Sequence, residues 1–278
     1  MPNTPIAELP KRTVSAHLEA DVTEVAEVVI SVALAAGSDA AETMDITLNG
    51  SPLRWDVVTA PHGTRLHLVR GIPAGRLVVD YRAEVSGAAS VATPDADADA
   101  VDRITYLRPS RYCESDALAS VAADLFTGLA GKDLLDAVSS WVGRHLAYIS
   151  GSSRPTDGAL QTYLGRQGVC RDFAHLVVAL LRARGVPARL ASVYAPGLSP
   201  MDFHAVAEAR LDEGWYVVDA TLLAPRTGML RIATGRDAAD AAFLTVHSGR
   251  VALAGLNVSV FMEPGLPNDD VTTLVRLA

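Results

Sequence analysis

The stretch GVCRDFAHLVVALLRARGVPARL, residues 168–190, decides how the second half of this chain folds. Counting from Cys170, apolar residues follow at positions +3, +4, +7, +8 and +11, which is the spacing of one face of an α-helix. Gly185 and Pro187 then interrupt the pattern, as residues that end helices do. The sequence therefore predicts a deeply packed helix that begins at Cys170 and ends near Arg184.

Cys170 has an unusual position for a cysteine, because it stands in the first turn of this helix, directly after Gly168 and Val169. Unpaired N–H groups and the positive end of the helix dipole favour a thiolate at such a place. The packed face of the helix would also hold a nucleophile rigidly. The alternative is a small residue of the core, which is the usual role of a lone cysteine. Because Cys170 stands at the start of the helix, the role of nucleophile is favoured over that of a core residue.

Two polar residues lie in predicted strands further along the chain. His204 is in the strand Phe203–Leu211, in which polar and apolar residues alternate. Asp219 comes at the end of the otherwise apolar strand Trp215–Ala220. Burying a carboxylate there is costly unless it has a partner, and an imidazole N–H is such a partner. Cys170, His204 and Asp219 are therefore the candidate nucleophile, base and orienting acid of a catalytic triad.

The turn between these two strands decides whether His204 and Asp219 can meet. A two-residue turn at 212–213 would place Asp219 opposite Val206, so that it becomes a diagonal neighbour of His204. A three-residue turn at 212–214 would move Asp219 to the other face of the sheet unless a bulge intervenes. The spacing alone leaves both arrangements open.

Other polar residues near Cys170 are weaker candidates. His175 follows it by five residues, so the two do not share a helix face as a metal-binding pair at i and i+4 would, and a role in the core is favoured. Asp172 complements the helix dipole. Asp202 and Gln167 are candidates for lining a cleft, and Gln167 is a candidate oxyanion donor. Three further residues are expected to have structural roles: Cys113, Asp237 and Asp240.

The first third of the chain predicts strands and no helix. Asn49-Gly50 and His62-Gly63 each stand between apolar runs, and both pairs tolerate the positive φ angles of hairpin turns. The sequence therefore predicts a small β-sandwich or meander. Some of its strands are recognised by alternating polar and apolar residues. The strands are expected at 14–22, 28–34, 44–48, 53–58, 66–69 and 77–85.

The composition changes at Ser86–Ala100, which consists almost wholly of small and acidic residues and reads as a linker. Asp95, Asp97 and Asp99 alternate there, but the glycine and final glutamate of a calcium loop are missing, so a solvated linker is favoured. We therefore predict a β-sandwich-like domain with its linker at 1–104 and a catalytic domain at 105–278. The latter places helices before an antiparallel sheet, which is an α+β order.

Charge and cysteine content restrict the partners and the compartment. The 278 residues include 24 Lys and Arg against 32 Asp and Glu, a net charge of −8, without a basic stripe. This argues against nucleic acid and anionic membranes as partners. With only Cys113 and Cys170, no disulfide framework is expected. The sequence shows neither a signal peptide nor a membrane span, so a cytoplasmic location is expected, while the oligomeric state is not indicated.

Three ordered blocks resemble the transglutaminase-like superfamily, in the bacterial branch described as cysteine proteases. They are GVCRDFAHLVVALLRARGVPARL at 168–190, MDFHAVAEARL at 201–211 and GWYVVDAT at 214–221, and they contain the family's Cys, His and Asp in the family's order. Similarity extends to YLRPSRYCESD at 106–116 and RIATGRDAADAAF at 231–243. The N-terminal region is similar to the separate β module of this branch.

The resemblance implies a papain-like, transglutaminase-like core, in which helices pack on an antiparallel sheet, preceded by a small all-β domain. Cys170 matches the family's nucleophile, His204 its base and Asp219 the residue that orients the base. The implied activity is acyl transfer or hydrolysis on a peptide or protein amide through a thioester. No metal and no cofactor are implied, and the acceptor, water or an amine, stays open.

Two alternatives from other classes remain. The chain could be a non-catalytic binding or scaffold protein that uses the same fold, although a binder has no reason to keep all three triad residues. It could also be an assembly factor that acts mainly through the β module.

Overall fold

The computed structural model describes residues 10–87, 96–211 and 214–277. Six strands come first, and five helices and seven further strands follow among the described residues. The first strands are β1 (Lys11–Ile30), β2 (Ala40–Leu48), β3 (Ser51–Pro52), β4 (Asp56–Thr59), β5 (Arg65–Ile72) and β6 (Gly75–Ser86). The helices are α1 (Ala96–Thr105), α2 (Ala119–Leu125), α3 (Gly131–His145), α4 (Ala159–Gly165) and α5 (Cys170–Ala183). The remaining strands are β7 (Ala147–Tyr148), β8 (Gln167–Gly168), β9 (Ala188–Tyr194), β10 (His204–Leu211), β11 (Gly214–Val218), β12 (Leu230–Gly235) and β13 (Leu244–Glu263).

The N-terminal sheet is antiparallel, with the strand order β3-β2-β6-β1-β5-β4, and β13 pairs with β1 as well. Both predicted hairpin turns are confirmed, because Asn49-Gly50 and His62-Gly63 adopt positive φ angles between paired strands. The two strands predicted at 14–22 and 28–34 are instead one strand, β1. Its pairing with β13 shifts register repeatedly between Val22 and Val28, which explains why the alternation breaks there while the strand continues.

The second sheet has the antiparallel order β11-β10-β9-β12. Helix α5 packs against β9 and β10, and its buried residues share a core with α3 and with the sheet. This is the predicted α+β arrangement, with helices on an antiparallel sheet, and it is confirmed. Leu211 pairs with Gly214, so β10 and β11 have the register of a two-residue turn, although residues 212–213 themselves lie outside the described residues.

One hydrophobic core extends from the first sheet into the second. Leu18 and Tyr81 of the first sheet share this core with Leu190 and Leu230 of the second. The Tyr194 hydroxyl donates a hydrogen bond to the Val32 carbonyl oxygen at 2.8 Å. The division predicted at residue 104 stays a prediction, and β13 crosses it, because this C-terminal strand returns to the N-terminal sheet.

The predicted linker lies partly in residues 88–95, which are outside the described residues, as is Asp95 of the proposed acidic run. Of the rest, Ser86 ends β6 and residues 96–100 form the first half of α1, so the linker prediction was wrong there. There the Asp99 carboxylate forms an ion pair with Arg210 at 2.8 Å. None of the helices in the described ranges has both the length and the apolar character that crossing a membrane requires.

Candidate active site

The start of α5 is fixed by a hydrogen bond from its own first turn. Asp172 is 1% exposed, and its Oδ2 accepts the Val169 backbone N–H at 2.9 Å. Its Oδ1 accepts a hydrogen bond from the Arg171 guanidinium at 2.9 Å. Asp172 therefore does more than complement the helix dipole, because it ties the incoming chain to the turn that carries Cys170. Cys170 itself is partly buried.

Gly168 is required by this arrangement. A Cβ atom at residue 168 would lie 2.6 Å from the Asp172 Cβ and 2.9 Å from its Oδ2, and both distances are too short for real atoms. Only glycine allows the chain to pass this close to the capping carboxylate. The close packing at the start of the helix therefore requires a glycine two residues before the cysteine.

His204 and Asp219 meet as the two-residue register predicts. His204 is 1% exposed and Asp219 is 4% exposed, and His204 Nε2 lies 3.1 Å from Asp219 Oδ2. The second carboxylate oxygen, Oδ1, accepts the Thr221 backbone N–H at 2.9 Å and the Thr221 hydroxyl at 2.7 Å. Both oxygens of the buried Asp219 therefore have partners, and the imidazole is held in one orientation.

The electrostatics of His204 link it to Cys170 as well. Burial opposes the charged imidazolium, but the hydrogen bond to Asp219 and the interaction with the Cys170 side chain raise the pKa of His204 to about 10. The same hydrogen bond lowers the pKa of Asp219 against the effect of its burial. His204 Nδ1 is buried and forms no regular hydrogen bond within the described part of the chain. Because Asp219 holds Nε2, Nδ1 is the nitrogen left to exchange a proton with Cys170.

Two residues of this site were not predicted from the sequence. Thr221 fixes Asp219, and its signal was available, because a threonine two residues after an aspartate commonly donates back to the carboxylate. Tyr148 interacts with Cys170, and no sequence pattern indicated it. Asp202, a predicted cleft residue, lies near His204 and Tyr148, and burial raises its pKa.

The remaining candidates lie apart from this chemistry. His175 is fully buried, its Nε2 accepts the Ala238 N–H at 3.1 Å, and burial lowers its pKa to about 4. Gln167 pairs through its backbone in β8, and its side chain is exposed. Cys113 is fully buried, which raises the pKa of its thiol far above the ordinary value. Asp237 accepts backbone N–H groups of Tyr112 and Ala239.

Among residues 10–87, 96–211 and 214–277, no three His, Cys, Asp or Glu side chains are arranged to hold a metal ion.

Residues 120–220 match the family described as the transglutaminase-like superfamily, and this segment contains Cys170, His204 and Asp219. The chain contains a transglutaminase-like core. The family resemblance drawn from the three sequence blocks is therefore confirmed.

A solved structure with the same fold covers nearly the whole chain. The crystal structure of a "putative cysteine protease" from Cytophaga hutchinsonii is similar with a TM-score of 0.83 and 29% sequence identity. The similarity covers 95% of this chain and 94% of the Cytophaga chain. The transglutaminase-like core and its N-terminal strands therefore occur together in both proteins.

Curated mycobacterial relatives match over shorter segments. An uncharacterized protein of Mycobacterium leprae is 28% identical over 163 residues, which are 55% of this chain and 58% of that protein. An uncharacterized protein of Mycobacterium tuberculosis is 36% identical over 83 residues, 29% of this chain and 26% of that protein. The chain thus matches 58% or less of the length of these two relatives.

Proposed function

We propose that this protein is a cysteine-dependent enzyme that transfers or hydrolyses the acyl group of a peptide or protein amide through a thioester. The observation that carries the proposal is the buried His204, which is bonded to Asp219 through one ring nitrogen and interacts with Cys170 at the start of α5. The transglutaminase-like core supports an enzyme of the cysteine class. The description of the Cytophaga relative as a cysteine protease supports a peptide substrate.

In the proposed acylation the thiol proton of Cys170 already resides on His204, whose pKa of about 10 favours the imidazolium at neutral pH, so Cys170 reacts as the thiolate. The thiolate sulfur then attacks the carbonyl carbon of the amide, and the π electrons of the C=O bond move to the oxygen. When the tetrahedral intermediate collapses, the C–N bond breaks and the imidazolium gives its proton to the departing amine. Asp219 stabilises the imidazolium throughout, which agrees with the raised pKa of His204.

The second step regenerates the thiolate. His204, now neutral, accepts a proton from water or from an amine as that acceptor attacks the thioester carbonyl. Collapse of this intermediate breaks the C–S bond, and the proton stays on His204. Water gives hydrolysis and an amine gives transfer, so the same residues serve both outcomes.

The test uses an activated ester, p-nitrophenyl acetate, with the full chain. We expect a burst of p-nitrophenol equal in amount to the enzyme, and mass spectrometry should place one acetyl group on Cys170. Cys113→Ala should keep the burst and Cys170→Ala should lose it, because Cys113 is buried with a raised thiol pKa. Iodoacetamide at neutral pH should likewise modify Cys170 far faster than Cys113. A burst that survives Cys170→Ala would refute the proposal.

A further inference from the structure

Residues 149–154, named the strap, follow β7 and are attached on both sides of the nucleophile in the sequence. The first residue of the strap, Ile149, donates its backbone N–H to the Gly168 carbonyl oxygen at 3.0 Å. At the other end, the Arg154 carbonyl oxygen accepts a hydrogen bond from Arg171 Nη2 at 2.7 Å. One attachment therefore lies two residues before the nucleophile, and the other lies one residue after it.

The Arg171 guanidinium joins the strap to the first turn of α5. Its Nη2 donates to the Ser153 hydroxyl and to the Arg154 carbonyl oxygen. Its Nε and Nη2 both donate to Asp172 Oδ1, at 3.2 and 2.9 Å. Asp172 Oδ2 accepts the Val169 N–H. A continuous chain of hydrogen bonds therefore runs from the strap, through one guanidinium, to the residue that precedes the nucleophile.

Tyr112 supports the same guanidinium from an earlier part of the chain. Arg171 Cζ lies 5.9 Å from the centre of the Tyr112 ring, within the range of a cation–π contact. The Tyr112 hydroxyl donates to the Pro155 carbonyl oxygen at 2.9 Å, directly after the strap. The ring is also stacked on the fully buried His175, 5.2 Å away at an angle of 12°. The guanidinium therefore contacts both the strap and a ring that is anchored in the core.

The strap leaves much of its own surface uncovered. The Ser152 N–H and hydroxyl both donate to the Ile149 carbonyl oxygen, at 3.3 and 2.7 Å, so the strap has a defined turn. Ile149 is 45% exposed, and residues 150, 151 and 154 are exposed as well. Loops on a rigid support commonly bind substrates, and this loop begins beside the segment that leads into the nucleophile. It is therefore placed to contact the groups that flank the reacting carbonyl of a peptide.

We propose that Arg171 is a positioning residue, which holds the strap where the strap binds the acyl donor. The inference rests on the proposed function. The guanidinium itself touches no reacting atom, and its charge is balanced by Asp172 in an ion pair at 2.9 Å. Loss of Arg171 should therefore weaken the binding of a peptide-like acyl group and leave the reactivity of the Cys170 sulfur intact.

The experiment compares two esters that have the same leaving group. Benzyloxycarbonyl-leucine p-nitrophenyl ester carries an amide and a side chain beside the reacting carbonyl, whereas the acetyl group of p-nitrophenyl acetate has neither to contact the strap. Arg171→Gln removes both the charge and the hydrogen bonds. Arg171→Lys keeps the charge, but a single ammonium cannot replace the planar fork that serves Asp172 and the strap together. Arg144→Gln is the matched control, because the Nε of this exposed arginine bonds within α3, to the Ser140 carbonyl oxygen.

For Arg171→Gln and Arg171→Lys we expect the apparent KM for the leucine ester to rise by about tenfold, the pattern of lost ground-state binding. The maximal acylation rate with this ester and the burst rate with the acetate should stay within about threefold of the wild type. Ser153→Ala removes one of the two strap acceptors and should raise the KM by about threefold. Arg144→Gln should change none of these values.

Other results would overturn the inference. A slower acetate burst in Arg171→Gln that Arg171→Lys restores would mean that the charge acts on the thiol. A lower maximal rate with an unchanged KM would mean that the strap does not bind the donor, and unchanged values would mean that Arg171 is dispensable. If the Arg171 variants do not fold, an unchanged KM in Ser153→Ala overturns the inference by itself.

A failure of the proposed function gives a different result. In that case the wild-type protein itself shows no burst at Cys170 with either ester, whatever residue stands at position 171.

Discussion

Strand β10 carries two buried ionic groups that differ in one respect. At its start, His204 bonds to Asp219, and four residues later Glu208 lies between Arg189 and Arg231. Glu208 is fully buried, with Oε2 at 2.9 Å from Arg189 Nε and 2.6 Å from Arg231 Nη1. Its Oε1 lies 2.7 Å from Arg231 Nη2. The burial of Glu208 is outweighed by the two guanidinium groups, which lower its pKa to about 2.

The Glu208 cluster links the two sheets of the molecule. The Arg189 guanidinium carbon lies 3.9 Å from the centre of the Trp215 ring, and Arg189 Nη1 is 3.1 Å from His62 Nδ1 in the N-terminal sheet region. Both oxygens of Glu208 have donors, and the side chain is fully buried, so a substrate cannot reach it. The cluster has the properties of a structural ion network.

The polar atoms of the His204–Asp219 pair are not all hydrogen-bonded in this way. Asp219 has partners on both oxygens, but His204 Nδ1 has no regular hydrogen bond among the described residues, and the imidazole interacts with a cysteine. A buried polar atom without a partner is rare in folded proteins, and it is costly unless it serves chemistry. Burial and a shifted pKa occur in both clusters, so these two properties do not by themselves indicate an active site. The feature on which the proposed function depends is the unpaired Nδ1 of His204 together with its interaction with Cys170.

The largest effect should come from Asp219→Asn. Turnover is expected to fall by about 10⁴-fold, because an amide cannot stabilise the imidazolium and favours the wrong tautomer. The alkaline limb of the pH–rate profile, set in the wild type by His204 with its pKa of about 10, should move to lower pH, because the carboxylate that raises this pKa is gone. Turnover of a peptide anilide, whose amine leaving group needs the His204 proton, measured across pH checks both expectations.

Asp240→Asn is the control for that experiment, since within the described residues the Asp240 carboxylate accepts its hydrogen bonds from Arg236. Near-normal turnover in Asp219→Asn, on a substrate that Cys170→Ala cannot convert, would remove Asp219 from the mechanism.

Glu208→Gln should have the opposite effects: it should lower the stability of the protein and leave the reactivity of Cys170 unchanged. The neutral amide removes the carboxylate that the buried Arg189 shares with the partly buried Arg231, and among the described residues Arg189 keeps only the more distant Asp102 at 3.8 Å. The free energy of unfolding should therefore fall by about 3 kcal/mol in urea denaturation. The alkylation rate of Cys170 should remain close to that of the wild type at temperatures where the variant is folded. If the variant has normal stability and its Cys170 is alkylated slowly, the Glu208 cluster acts on Cys170 and is not a structural network.

Thr221→Val should have the smallest effect. The substitution removes the hydroxyl bond to Asp219 Oδ1, while the backbone N–H of residue 221 still donates to the same oxygen. We expect the burst rate to fall by about tenfold, equivalent to one hydrogen bond to a charged group. Thr221→Ser, which keeps the hydroxyl, should recover most of the rate. If serine and valine behave alike, the hydroxyl does not position Asp219.

Much of the fold was predictable because it depends on patterns within a few residues. The apolar spacing after Cys170 predicted α5, and the Asn49-Gly50 and His62-Gly63 pairs predicted their turns. The break expected near Val22 was wrong, because β1 continues through an irregular register that depends on its pairing with β13. That partner lies more than 200 residues away in the chain, beyond the reach of any local pattern.

In the candidate site, too, some features depend on short segments of the sequence and others on contacts between distant segments. The sequence by itself determined the helix start with its glycine and cysteine, and the order of the three reactive residue types, because both are properties of short segments. Only the tertiary structure decided that the β10–β11 register brings His204 to Asp219, and that β7 brings Tyr148 to Cys170. The sequence left two turns possible, and they differ by one residue. Which turn forms depends on how both faces of the sheet pack. The free energy of that packing involves the whole core and not a short segment.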